Sequence, residues 1–147
     1  MARTLAAALI LSVAGAPSAL AQAATCAKVD FEAVVDQAAG ALRELNLKNR
    51  PEFQERLRQL KDKRGWCHDQ FLKEAAPFVR DEETAVFDQK SEDLLAAISS
   101  MGQEGAEQKT PDCALLTELR GRMTQLVETQ TAKWTYMFGK IDTELKK

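Results

Sequence analysis

Residues 115–145, LLTELRGRMTQLVETQTAKWTYMFGKIDTEL, repeat apolar side chains at three- and four-residue steps. An α-helix has 3.6 residues per turn, so this spacing places them on one helix face. The members of this face are Leu115, Leu116, Leu119, Met123, Leu126, Val127, Trp134, Met137, Phe138, Ile141 and Leu145. Thr110 suits the N-cap and Pro111 the first turn. The stretch therefore predicts a long amphipathic helix that extends almost to the C-terminus.

Three earlier segments carry the same apolar period and predict three further helices. The first covers residues 28–45. The second begins at Asn49, which can cap a helix with Pro51 in its first turn, and it ends before Pro77 because proline disfavours helix at the preceding residue. The third begins at Asp81, where an acidic first turn complements the helix dipole.

The connections between these segments predict the architecture. Residues 102–110, GQEGAEQKT, contain two glycines among polar residues and predict a loop before the last helix. No alternating strand pattern and no Asn-Gly or Asp-Gly turn interrupts the helical segments. Because short links favour antiparallel neighbours, we predict an all-α fold, an up-down antiparallel four-helix bundle formed by one domain over residues 24–147.

The N-terminal residues have the pattern of an export signal. Arg3 precedes the apolar run 5–14, and small residues follow at the spacing that a signal peptidase recognises. We predict a signal peptide over residues 1–23, with cleavage after Ala21 as the alternative. The style of the leader is bacterial, so the expected location is the periplasm or the exterior. No second apolar stretch approaches the roughly 20 residues that span a bilayer, so we expect no stable membrane insertion.

The charge balance narrows the classes of partner. The chain has 20 basic and 22 acidic residues, a net charge of −2. Nucleic-acid binders and polybasic membrane-surface binders carry a clear basic excess, so we predict neither class.

The three cysteines, Cys26, Cys67 and Cys113, suit an oxidising compartment in which two of them pair. In the predicted bundle, Cys67 lies on the core face of the second helix, whose apolar period continues across Gly65. Counting from the expected turn near residue 48 places Cys26 and Cys67 at similar heights on neighbouring helices. We therefore predict a Cys26–Cys67 disulfide, with Cys67–Cys113 as the alternative.

Residues 64–68, RGWCH, match the second half of the c-type haem attachment motif C-x-x-C-H. Arg64 replaces the first cysteine, and His68 is the only histidine of the chain. Neighbouring helix positions point about 100° apart, which does not suit Cys67 and His68 to act as a nucleophile and base. The sequence also has no C-x-x-C pair for zinc and no P-loop or G-x-S-x-G motif. We predict no cofactor, no metal site and no catalytic residue.

The apolar side of the tail admits two interpretations. It could bind a partner protein or a second copy of the chain, because large exposed apolar patches mark interaction sites. The predicted partner-binding residues are Trp134, Met137, Phe138 and Ile141. In the second interpretation, the same side closes the end of the bundle against Phe78, Val79 and Phe31. From the first interpretation we expect a small exported protein, not an enzyme, that acts through protein–protein contacts in an accessory or chaperone-like role. The alternative is a carrier that holds a cofactor or metal inside the bundle.

Overall fold

The computed structural model describes residues 25–147. The predicted signal peptide and its cleavage sites lie outside the described residues. The four helices are α1 Lys28–Arg64, α2 His68–Val79, α3 Glu82–Glu107 and α4 Cys113–Lys146. They pack against one another, and residues 25–147 contain no strand. The predicted all-α bundle of four helices with a long C-terminal helix is confirmed.

The two longest helices, α1 and α4, run in the same direction. At their C-terminal ends, Arg64 Nη2 lies 2.9 Å from Glu144 Oε2. At their N-terminal ends, a disulfide joins Cys26 to Cys113. Because equivalent ends meet, α1 and α4 are parallel.

Helix α3 runs antiparallel to α4. Gln130 Nε2 donates to Ser91 Oγ at 2.7 Å, and Lys133 forms an ion pair with Asp88. From the first of these contacts to the second, the residue numbers rise along α4 and fall along α3, as in an antiparallel pair. The connection between α1 and α4 therefore returns through α3 along the length of the bundle.

The short helix α2 lies at the end of the bundle where α1 and α4 finish. Its residue Ala75 belongs to the same buried cluster as Leu60 of α1 and Ile141 of α4. Lys140 of α4 donates a hydrogen bond to the carbonyl oxygen of Pro77. Three long helices thus form the body of the bundle, and α2 covers one end.

The predicted break near residue 48 is absent, because α1 continues through Pro51. Asn49, predicted as an N-cap, instead donates from Nδ2 to the carbonyl oxygen of Leu45 at 2.8 Å. A proline inside a helix costs about 3 kcal/mol. Burial of one continuous face on both sides of Pro51 offsets that cost. The buried residues of this face are Phe31, Val34, Ala38, Phe53, Leu57 and Leu60.

The chain breaks instead at Gly65, where the second predicted helix was expected to continue. Gly65 has φ 64°, a left-handed conformation that side chains with a Cβ adopt at a cost. Its N–H donates to Asp62 O at 3.2 Å, and the N–H of Trp66 donates to Lys61 O at 3.1 Å. These bonds satisfy carbonyls at the end of α1. Cys67 consequently stands at the N-cap of α2 and is exposed, not in the core.

Helix α2 also passes its predicted end. It includes Pro77 and continues to Val79, where Arg80 N–H donates to Ala76 O at 2.9 Å. Pro77 is exposed. The carbonyl that lacks a helical donor because of the proline ring can therefore bind water, which makes proline tolerable here.

The predicted loop over residues 102–110 is mostly helix, since α3 continues to Glu107. Gly105 is buried against the ring of Phe31, and a Cβ at this position would lie 2.1 Å from ring atom Cδ1. This glycine therefore allows α3 and α1 to approach closely and does not form a turn.

Two helix starts can be compared with their predicted caps. Asp81 caps α3 as predicted, because its Oδ1 accepts from Thr84 N–H at 2.8 Å. Helix α4 is capped by Asp112, whose Oδ1 accepts from Leu115 N–H at 2.9 Å, and not by Thr110. Both observed caps are carboxylates, which also complement the helix dipole.

The core consists of two clusters. The disulfide-end cluster contains the buried residues Cys26, Phe31, Val34, Leu94, Ile98, Leu116, Leu119 and Leu126. The aromatic cluster, at the α2 end, contains the buried residues Phe53, Leu57, Leu60, Ala75, Met137 and Ile141. Half-buried aromatic residues surround it, namely Trp66, Phe71, Phe78, Trp134, Tyr136 and Phe138. Among residues 25–147, no helix is long and apolar enough to cross a membrane.

Candidate interaction site on α4

The disulfide connects Cys26 with Cys113, with a Cα–Cα distance of 5.0 Å. The predicted Cys26–Cys67 pairing is therefore wrong, and Cys67 is a free, exposed thiol. The physical reason is the continuity of α1. Cys26 and Cys67 flank this helix of 37 residues, which is about 55 Å long, so they lie at opposite ends of the bundle.

The predicted partner-binding residues face the interior of the bundle. Met137 and Ile141 are 5% and 0% exposed. The ring of Phe53 on α1 packs edge-on against Trp134 at 5.9 Å and Phe138 at 5.4 Å between centroids. These residues belong to the aromatic cluster of the chain itself, which corrects their assignment as a partner-binding surface.

The second interpretation of the tail agrees with the structure in part. Phe78 packs in the aromatic cluster together with these residues. Val79 is exposed, and Phe31 belongs to the disulfide-end cluster at the other end of the bundle. Closure of the tail by its own chain thus involves α1 and α2.

Polar contacts from α4 hold the connection between α2 and α3. The Tyr136 hydroxyl donates to Asp81 Oδ2 at 2.7 Å, and Lys140 forms an ion pair with the same oxygen. Lys140 Nζ also donates to Pro77 O and lies 5.1 Å from the Tyr136 ring centroid. One lysine and one tyrosine of α4 therefore hold the last turn of α2 and the N-cap of α3.

This contact shifts the pKa values of two of its members. The hydrogen bond from Lys140, with those from Thr84 N–H and Tyr136, holds the pKa of Asp81 well below its usual range. The Asp81 carboxylate in turn raises the pKa of Tyr136, because it stabilises the protonated phenol, and burial adds to the rise. Ionisation of Tyr136 would place two anions side by side.

The titration of Tyr136 can be measured directly, because it is the only tyrosine of the chain. We expect the ultraviolet absorbance of its phenolate to appear with an apparent pKa above the ordinary value of about 10. Asp81→Asn removes the neighbouring anion and should bring the pKa back toward that value. Asp88→Asn, which affects the ion pair with Lys133, is the matched control and should leave the titration unchanged. Identical titrations of the native and Asp81→Asn proteins would contradict the contact.

The side of α4 that bears Thr131, Thr135 and Thr143 carries mostly short side chains. We call this surface the α4 outer face; it comprises Val127, Glu128, Thr131, Ala132, Thr135, Tyr136, Gly139 and Thr143. Thr131 Oγ1 donates to Val127 O at 2.7 Å, and Thr135 Oγ1 to Thr131 O at 3.0 Å. Thr143 makes the equivalent bond at 2.7 Å. Each hydroxyl is bound to its own helix, so the methyl group is the part of the side chain left for contact.

Two shallow grooves adjoin on this face and share Tyr136. The first, of about 580 Å³, lies over the Thr131 and Thr135 side chains and contains one ionisable carboxylate, that of Glu128. The second, of about 450 Å³, continues toward Phe78 of α2 and is also lined by Lys140 and Glu144. Together they form an elongated depression along α4, with an aromatic residue near its middle.

The α4 outer face was not predicted, because the aromatic and aliphatic residues of the tail carry the stronger apolar signal. The available signal was the spacing of Thr131, Thr135 and Thr143 at multiples of four residues, which places them on one side of a helix. The periodicity does not reveal that the hydroxyls bond inward, since that depends on side-chain rotamers.

No protein-family model matches the chain, and neither the curated proteins nor the solved structures contain a significant match. Residues 25–147 contain no group of three or more His, Cys, Asp or Glu side chains that could hold a metal ion. The cofactor or metal carrier remains a prediction.

Proposed function

We propose that this protein is exported and acts as a non-enzymatic accessory or chaperone-like protein, binding a partner protein through the α4 outer face. The observation that carries the proposal is the long depression along α4, whose larger groove, over Thr131 and Thr135, has Glu128 as its one charged lining residue. The depression offers methyl groups, a glycine and an aromatic ring to solvent. Such a surface suits an apolar helix or extended segment of a partner, because short side chains let another backbone approach closely.

The composition of this face supports a role in binding. Threonine is a poor helix former, because its branched side chain loses rotamer freedom in a helix. The exposed Thr131, Thr135 and Thr143 therefore weaken the helix without contributing to the core. Alanine, lysine or glutamate would give a more stable solvated face. A contact with another molecule accounts for their presence.

Export is supported by the signal pattern of residues 1–23 and by the Cys26–Cys113 disulfide. Disulfides persist in oxidising compartments and are rare where thiols are kept reduced. Mass mapping of cysteine peptides from protein isolated without reductant tests this part. Linked Cys26 and Cys113 peptides in a chain that starts near residue 24 are expected. A reduced chain that retains residues 1–23 would exclude export.

A charge placed in the depression tests the binding surface. Ala132→Arg should abolish capture of a partner by a photo-crosslinker at Thr135, because the long side chain fills the groove and its guanidinium is costly to desolvate even when it pairs with Glu128. Ala96→Arg is the matched control, since Ala96 is also an exposed alanine in a helix, on α3. Both changes should alter the free energy of unfolding by less than about 0.5 kcal/mol. Equal capture by the two variants would exclude the α4 outer face.

A further inference from the structure

We propose that α2 is a lid over the aromatic cluster, which opens as a unit while α1, α3 and α4 stay packed. The lid comprises Trp66–Val79, namely α2 and the two residues before it. The lid meets the depression on the α4 outer face at Phe78, which lines the end of the second groove, but the inference does not require a partner to bind there. Four observations support it, concerning burial, hinges, polar contacts and the space beneath the helix.

The lid is held by few buried contacts. Ala75 is the only buried residue among the 12 residues of α2. Phe71 and Phe78 are half-buried, and Leu72 is largely exposed. By comparison, α1 and α4 each bury six residues. Segments with little buried apolar surface open locally at a lower free energy than the global unfolding free energy.

Both ends of the lid are short joints that can rotate. At the first joint, Gly65 holds the left-handed conformation, which it can leave without the penalty of a Cβ. At the second, Arg80 has extended dihedrals, φ −137° and ψ 121°, between α2 and α3. A few residues at the ends of elements are the usual hinges of such motions.

Contacts at the surface hold the lid closed. Lys140 donates to Pro77 O and pairs with Asp81, and these two side chains are 23% and 27% exposed. Lys61 Nζ lies 5.7 Å from the Phe71 ring centroid. Asp81 caps α3 and lies outside the lid, so its ion pair with Lys140 can stay formed when the lid opens, and the contacts of the lid that must break are those to Pro77 O and to the Phe71 ring. The packing of α1 on α4 does not depend on them, because Arg64 and Glu144 pair directly at the same end.

A crevice of about 340 Å³ lies between part of the lid and the ends of α1 and α4. Leu60 lines its floor, with Trp66 and Phe78 of the lid on its walls. Opening would therefore expose Leu60 and Ile141, both fully buried in the closed state. The lid covers this surface with Phe71, Ala75 and Phe78, at the i, i+4, i+7 spacing of an amphipathic helix.

Hydrogen–deuterium exchange of the full protein tests the lid. Within residues 70–79, Pro77 has no amide hydrogen and Gln70 lies in the unbonded first turn, so we expect the remaining amides to exchange at least about tenfold faster than those of residues 53–60 in α1. Lys140→Gln removes the contacts with Pro77 and Asp81 and should speed exchange of residues 70–79 a further two- to tenfold, roughly, with α1 unchanged. Lys133→Gln, which breaks an α3–α4 ion pair, is the matched control and should not change exchange in α2.

A second variant acts at the other end of the lid. Gly65→Ala strains the closed hinge, because alanine disfavours positive φ, and it should likewise accelerate exchange of residues 70–79 alone. Equal exchange rates in α1 and α2 of the native protein would overturn the proposal. Acceleration of α1, α2 and α4 together in both variants would overturn it too, because it would show that α2 opens only with the whole bundle.

Discussion

Replacing Cys26 and Cys113 together with serine is expected to lower the free energy of unfolding by about 2–5 kcal/mol. The disulfide joins residues 87 positions apart and links the start of α1 to the start of α4. Its loss frees a long loop in the unfolded chain, which raises the conformational entropy of that state. It also leaves the N-terminal turn of α1 without its covalent contact to α4. Urea unfolding followed by far-ultraviolet circular dichroism gives the difference.

The free thiol supplies the control for this experiment. Cys67→Ser should not lower stability and should raise it by up to about 1 kcal/mol, because Cys67 is exposed and unpaired at the N-cap of α2, where serine is a preferred residue. Reductant should destabilise the native and Cys67→Ser proteins alike and leave the double-serine protein unaffected. A loss of stability on Cys67→Ser that matched the loss on removing Cys26 and Cys113 would contradict the observed pairing.

Gly105→Ala is expected to destabilise the bundle by about 1–3 kcal/mol. Alanine normally favours a helix over glycine by about 1 kcal/mol. At this position, however, the added methyl group would lie 2.1 Å from the ring of Phe31, which is 1% exposed. Either the ring leaves its rotamer or α3 moves away from α1, and both changes reduce core packing. Thermal unfolding of the purified variant measures the effect.

The same substitution at Gly121 separates packing from helix propensity. Gly121 is an exposed residue of α4, and a Cβ there meets nothing within 4 Å. Gly121→Ala should therefore raise the stability by about 0.5–1 kcal/mol. In a Gly105→Ala background, Phe31→Leu should cost less than it does in the native protein, because the smaller side chain relieves the overlap. If Gly105→Ala also stabilised the protein, the close approach of α1 and α3 would be refuted.

The apolar period predicted the fold class because it is a local property of the chain. Helix α4 follows from the repeated spacing between Leu115 and Leu145, and the N-cap of α3 from Asp81 and its acidic first turn. Each of these signals involves residues that lie within two helical turns of one another. These signals do not depend on which helices pack against the segment. The structure therefore agrees with the predictions made from them.

The helix boundaries could not be read in the same way. Pro51 and the glycines at 102 and 105 predicted chain breaks, yet all three lie within helices. The second helix was predicted to continue across Gly65, yet this residue ends α1. Local propensity distinguishes these cases by about 1–3 kcal/mol. Burial of a whole face outweighs that difference, and it depends on partners that are distant in sequence.

The candidate site was predicted least well. The predicted partner-binding residues included the aromatic side chains of Trp134 and Phe138. Both rings pack against Phe53 of α1. The exposed side of the same helix carries threonines whose hydroxyls are bound to their own backbone. Composition describes such a face as polar, whereas its contact surface consists of methyl groups.

The sequence by itself determined that the chain forms amphipathic helices, that they bury their apolar faces in a bundle, and that the last helix is long. All three depend on the spacing of side chains along one segment. Only the tertiary structure decided that α1 is continuous, that Cys26 pairs with Cys113, and that α2 covers one end. These features depend on which helix faces meet across large sequence separations, and many weak contacts summed over those faces outweigh the local preference of any single residue.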